Sequence, residues 1–203
     1  MNARAEVPLF ADEFERLDVI AIERDGRDLF GFDSLSGRRA AYRLEVNEEV
    51  FFLETRGRVG LVLTNRRALA IGPGTGFREM RYRPRETPPE TGLVGDQIAL
   101  ISTSKRVLGF IGNGGRWVED GLAPGETVRA IRAGTAVGVV VTNRRALGLA
   151  ANRKRFTSTN LRVKESIESV VAQDTLVTLR TDKRILVFGS SRGTWTIQDR
   201  SIH

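Results

Sequence analysis

The chain has 203 residues and a net charge of +7, contains no cysteine, and places its single histidine at the last position, His203. Disulfide frameworks, zinc clusters, Cys-His nucleophile pairs and Ser-His-Asp triads need residues that are missing here or stand at a terminus, so those classes are excluded. The basic excess invites a polyanionic partner, although net charge also serves solubility.

Residues 1–17 carry Glu6, Asp12, Glu13 and Glu15 among their apolar positions and hold no long hydrophobic run. Neither a secretory signal nor a membrane span is expected there, and the expected location is cytoplasmic. Next comes a repeat. Thr64-Asn65-Arg66-Arg67-Ala68-Leu69 returns as Thr103-Ser104-Lys105-Arg106-Val107-Leu108, as Thr142-Asn143-Arg144-Arg145-Ala146-Leu147 and as Thr181-Asp182-Lys183-Arg184-Ile185-Leu186, each 39 residues after the last. Asp25-Gly26-Arg27-Asp28-Leu29-Phe30 is a diverged fifth copy. Five copies occupy the whole chain, so residues 1–203 read as one domain whose units bury their faces on their neighbours.

Each unit reads as four short strands. In the fourth, residues 127–133 and 135–142 are split by Gly134 and followed by 145–151 and 155–162. The run Val137, Val139, Val140, Val141 suits a strand covered on both faces, and the spacing forbids a useful helix, so the fold class is all-β. Column by column, large aliphatics recur at Ile20, Val59, Ile98, Val137 and Leu176. Mostly small residues, Gly31, Ala70, Gly109, Gly148 and Val187, stand beside bulky Phe32, Ile71, Phe110, Leu149 and Phe188. Large side chains of one sheet thus fit against small ones of the next.

With four strands in each unit of about 40 residues, the chain resembles a five-bladed β-propeller with four short antiparallel strands per blade. The repeated hairpin also looks like one seen in bacterial PH-like domains, but those carry it once per about 100 residues. An open solenoid fits the antiparallel hairpins less well, and a whole number of repeats suits a closed ring. The expected blades are 10–44, 49–83, 88–122, 127–161 and 166–200. Pro88, Pro89 and Gly92 interrupt an innermost strand, so a longer loop is expected over Pro84 to Gly92. Residues 1–8 and 196–203 share a phase and are expected to meet and latch the ring.

Between the second and third strands a two-residue turn is expected, with Gly, Asn, Ser or Asp first because these tolerate positive φ or hydrogen-bond the turn. Its second residue is always basic: Arg27, Arg66, Lys105, Arg144 and Lys183. The next position adds Arg67, Arg106, Arg145 and Arg184, so nine cations gather at the end of the propeller that also carries the interblade links. Asp25, Asp28 and Asp182 subtract from them, and most of the net charge is expected there. These nine are the candidate binding residues, for an acidic protein surface, RNA, DNA or anionic lipid headgroups. Glu48, Glu86, Glu126 and Glu165 stand in or near the links, however, and each can pair with an arginine of the Arg67 column instead.

Trp117, Phe156 and Trp195 share a column within strands and are expected to pack between blades. Tyr82, among Arg78, Arg81, Arg83 and Arg85, is a better candidate for stacking a base. The glycine runs at 72–76 and 112–115 open no helix and read as hairpin loops. Five-bladed propellers include glycosidases and lectins, but Glu54, Asp96 and Glu168 fall in different phases and form no acid and nucleophile pair. Blade one differs most, through Asp25, Asp28 and Asp33. The resulting expectation is a non-catalytic interaction or scaffold module that docks an acidic partner through its basic face and needs neither cofactor nor metal. Sequence-nonspecific binding of nucleic acid or another polyanion is the alternative.

Overall fold

A computed structural model describes residues 18–200, and every helix or strand assigned in it is a β-strand. Blade one contains β1 (Ile20–Asp25), β2 (Asp28–Asp33) and β3 (Arg38–Arg43). Blade two contains β4 (Val50–Arg56), β5 (Val59–Thr64), β6 (Arg67–Ile71) and β7 (Arg78–Arg81). In blade three these are followed by β8 (Leu93–Val94), β9 (Ile98–Ser102), β10 (Arg106–Ile111) and β11 (Arg116–Gly121). Blade four is β12 (Val128–Ala133), β13 (Val137–Thr142), β14 (Arg145–Ala150) and β15 (Thr157–Asn160). Blade five is β16 (Ile167–Ala172), β17 (Leu176–Thr181), β18 (Arg184–Gly189) and β19 (Thr194–Asp199). Within each sheet, strands pair antiparallel in chain order. The protein is therefore an all-β, five-bladed propeller. The expected start of blade one, residues 10–17, and the latch involving residues 1–8 lie outside the described residues.

The middle blades follow from their apolar runs. Every position of β5, β10 and β13 is buried, which requires a neighbouring sheet on each face. Small and large columns interlock at these contacts. A Cβ on Gly60 would fall 2.5 Å from Ile22 Cδ1, and one on Gly148 would fall 2.7 Å from the Phe188 ring. Separate hydrophobic cores join blades one and two, two and three, three and four, and four and five. Main-chain bonds cross the same junctions: Val19 N–H donates to Gly57 O (2.7 Å), Arg58 to Asp96 O (2.7 Å), Gln97 to Thr135 O (2.9 Å) and Ala136 to Asp174 O (2.8 Å).

Among the described residues, no hydrophobic core, hydrogen bond or ion pair joins blade five to blade one. Their strands bury alternate positions, as sheets covered on one face do, and Phe30, Phe32, Leu176 and Ile197 are exposed. The expected loop is present: β7 ends at Arg81 and β8 has only two residues, because Pro88 and Pro89 supply no ladder donor.

Gly148 has no positive φ that would demand glycine, so its small size serves the junction alone. Gly148→Val is expected to cost about 1–3 kcal/mol by overpacking against Phe188. Urea unfolding checks this, and an unchanged midpoint would show that the junction tolerates the extra volume.

Candidate functional site

The turns between second and third strands lie against the interblade links. Asn65 Oδ1 accepts the Glu49 N–H (3.1 Å), Ser104 Oγ that of Thr87 (2.8 Å), Asn143 Oδ1 that of Thr127 (3.0 Å) and Asp182 Oδ1 that of Ser166 (2.9 Å). Only Gly26, in blade one, has positive φ among the first-turn residues. The polar side chains at the other four are therefore there to fasten the link, not to permit a left-handed backbone. Each link is itself a tight turn. Asn47, Arg85, Gly125 and Lys164 have φ of 59°, 60°, 71° and 58°, and Pro84 and Pro124 precede two of them, as a type II turn favours.

That turn drives a glutamate inward, where it meets the arginine after the basic turn position. Arg67, Arg106, Arg145 and Arg184 place Nε 2.9, 2.9, 2.8 and 2.8 Å from Oε1 of Glu48, Glu86, Glu126 and Glu165. Thr64, Thr142 and Thr181 donate their hydroxyls to the same carboxylates (2.8, 2.8 and 2.7 Å), and Thr103 does so to Glu86. The hydroxyls in turn accept turn N–H groups, such as those of Arg66 (3.1 Å) and Arg67 (3.0 Å) on Thr64. Each guanidinium also reaches the last strand of the preceding blade: Arg106 donates to Arg81 O (2.8 Å), Arg145 to Gly121 O (2.6 Å), Arg184 to Asn160 O (2.6 Å) and Arg67 to the Tyr42 hydroxyl (2.9 Å). This is an interblade staple, and it occurs four times.

Burial raises the Glu165 pKa, but hydrogen bonds from Arg184, Thr181 and the Arg162 N–H outweigh it and take the group from its ordinary 4.5 to about 2. Of the nine candidate cations, Arg67, Arg106, Arg145 and Arg184 are thus committed to internal pairs, and three of them are buried. Arg66 pairs with Glu45 at 2.6 Å. The other turn cations differ. Lys105, Arg144 and Lys183 each donate to a link carbonyl, those of Pro84, Pro124 and Val163, at 2.8 Å. A carbonyl orients a cation without neutralising it. Among the described residues Arg27, Arg85, Lys105, Arg144, Lys164 and Lys183 make no ion pair, and all six belong to these turns and links.

The aromatic residues serve packing. Trp117 and Trp195 lie against the junction cores, and their indole N–H groups bond Arg78 O and Thr157 O at 2.9 Å. Tyr82 packs on the core between blades two and three with its hydroxyl buried, so it offers no stacking platform. Asp33 is buried and accepts from Gly74 N–H (2.7 Å) and Leu35 N–H (3.0 Å), a structural use. The described residues contain no group of three or more His, Cys, Asp or Glu able to hold a metal, and no helix long and apolar enough to cross a membrane.

No family model matches the chain, and no curated protein does. Among solved structures it is similar to Prp20p of Saccharomyces cerevisiae, with a TM-score of 0.45 and 10% identity over 85% of this chain and 55% of that one. It is also similar to Hsv2p of Kluyveromyces lactis, with a TM-score of 0.38 and 9% identity over 91% of this chain and 82% of that one. The WD40 domain of Neurospora crassa Pan2 gives a TM-score of 0.37 and 11% identity over 91% and 63%. The chain spans about half the length of Prp20p. Likenesses this distant carry no functional reading.

A second basic feature escaped the sequence reading. At the opposite end, the loops after β14 and β18 bring Arg153, Lys154, Arg155 and Arg192 around a shallow hollow of about 480 Å³. None of the four makes an ion pair among the described residues. Arg153 and Arg192 stand one repeat apart, which was the available signal.

The lowered Glu165 pKa fixes a pH response. Its contribution to stability is complete above about pH 4.5 and is lost as pH falls through about 2, because the folded state holds the ionised form. Glu165→Gln is expected to cost about 3–5 kcal/mol at neutral pH, by leaving Arg184 without its buried partner. Melting temperatures of both proteins from neutral to acid pH check this: the gap should close toward the acid end, and a constant gap would contradict the assignment.

Proposed function

We propose that this protein is a non-catalytic interaction module whose basic rim docks an acidic protein surface. One observation carries the reading. In the repeated turns of blades three, four and five, the first cation is oriented by a link carbonyl while its charge is left free, beside an arginine whose charge is cancelled internally. Free, oriented, same-sign charges on a rigid scaffold steer an oppositely charged surface and raise its association rate.

The second reading, sequence-nonspecific binding of nucleic acid or another polyanion, draws support from the hollow at the opposite end, where four further cations have no carboxylate partner among the described residues. Salt separates the two. Binding through phosphates weakens steeply with salt and is indifferent to sequence.

The deciding experiment is a capture from nuclease-treated native lysate at two salt concentrations, with the wild type and a Lys105→Glu, Arg144→Glu, Lys183→Glu variant. A stoichiometric protein partner that survives nuclease and is lost by the folded variant is expected, with the association rate for the purified pair falling by about tenfold or more. Recovery of nuclease-sensitive, salt-labile material alone would replace this reading with the second.

A further inference from the structure

The four junctions follow one plan, and each of the two outer blades holds half of it with no partner among the described residues. The onward half on blade five is built from Leu176, Ile185 and Val187, which stand where Val137, Ala146 and Gly148 contact blade five from blade four. The rear half on blade one is built from Phe30 and Phe32, which stand where Leu69 and Ile71 receive blade one on blade two. Leu176 is 43% exposed, Phe30 39% and Phe32 37%, whereas their counterparts at the internal junctions are fully covered.

We propose that blade five of one molecule stacks on blade one of a second copy, continuing the propeller's own junction from chain to chain. The main chain is prepared for it. Thr175 occupies the position of Val19, Arg58, Gln97 and Ala136, whose N–H groups each donate to a carbonyl of the next blade, and its own N–H has no acceptor among the described residues. The matching acceptor is the carbonyl of Asp18, at the position of Gly57, Asp96, Thr135 and Asp174, on the second copy.

The charges agree with the same register. Glu23 stands where the other blades have Val62, Ile101, Val140 and Leu179, and it makes no ion pair among the described residues. Position 60 rests on Ile22, and position 138 on Ile98 and Leu100, so the place two residues further on, that of Glu23, faces those of Ile22 and Arg24. On blade five these are Thr178 and Arg180. Arg180 binds Glu168 at 2.8 Å, but Arg200 binds the same carboxylate at 2.8 Å, so the trio keeps one positive charge for Glu23. Each polar replacement alone spoils an apolar junction, and together they complement each other. A head-to-tail contact of this kind leaves a free half at either end, so it extends into a ring or a filament.

The absence of cysteine makes the test direct. Position 187 corresponds to Gly148, which meets Phe188, the counterpart of Phe32. Equal amounts of Phe32→Cys and Val187→Cys proteins, mixed and mildly oxidised, are expected to form mainly the mixed disulfide dimer. Sedimentation of the wild type should show mass rising with concentration. Arg180→Glu should weaken self-association about tenfold and Glu23→Arg added to it should restore it, as a charge pair requires. A wild type that stays monomeric at every concentration would overturn the proposal. So would a Phe32→Cys, Val187→Cys double variant that crosslinks within single chains, which would assign the two halves to closure of one ring.

Discussion

A guanidinium buried at a blade junction cannot remain unpaired, and that requirement organises this protein. Placing Arg67, Arg106 or Arg184 out of water is tolerable only when carboxylates arrive together with a further acceptor, the Tyr42 hydroxyl for Arg67 and a main-chain carbonyl for the other two. The carboxylate comes from the link, the turn from the arginine's own blade, and the carbonyl in blades three to five from the last strand of the blade before. A misplaced blade would strand a charge. The hydrophobic columns supply attraction between sheets, but attraction of that kind is non-directional. The staple adds direction, fixing where along the junction each sheet must stop.

The same device divides the repeated cations by role. In blades three to five one of each pair is drawn inside and cancelled, while its neighbour is left outside with a carbonyl for company. Architecture and exterior charge are thus written in adjacent residues, and a change at either position reads out differently. Among the described residues the opposite end has no staple. Its cations, Arg153, Lys154, Arg155 and Arg192, have no carboxylate partner there but come from loops that vary between blades, so they form one local hollow and not a ring of equivalent sites.

Much of this was legible beforehand. The Thr-x-x-Arg recurrence marks the blades, and the glutamates of the links stand near enough to suggest the pairing. Other features were hidden by the method of reading columns. Averaging over five units presents Glu23 and Thr178 as noise in aliphatic positions and Arg180 as one more member of a mixed column, although they mark sheet faces that no neighbour covers among the described residues. The first turn residues were misread in part: Asn65, Ser104, Asn143 and Asp182 suit positive φ and also suit a bond to the link, and only the backbone shows that the bond is the reason. The hollow required knowing that loops of successive blades lie side by side.

In blades three and five the glutamate, threonine and arginine of each staple belong to one unit and ask of the unit before only a main-chain carbonyl, while Arg145 in blade four also takes Asp120 of the unit before at 3.0 Å. Any sequence provides the carbonyl. A unit copied by gene duplication therefore brings most of the polar part of its junction with it, and what must be matched in its new neighbour is mainly the interlock of small and large side chains, such as Gly148 on Phe188. Blade number in such a lineage is free to change by whole units, and the units are free to diverge on their outer strands while the turn and link stay recognisable.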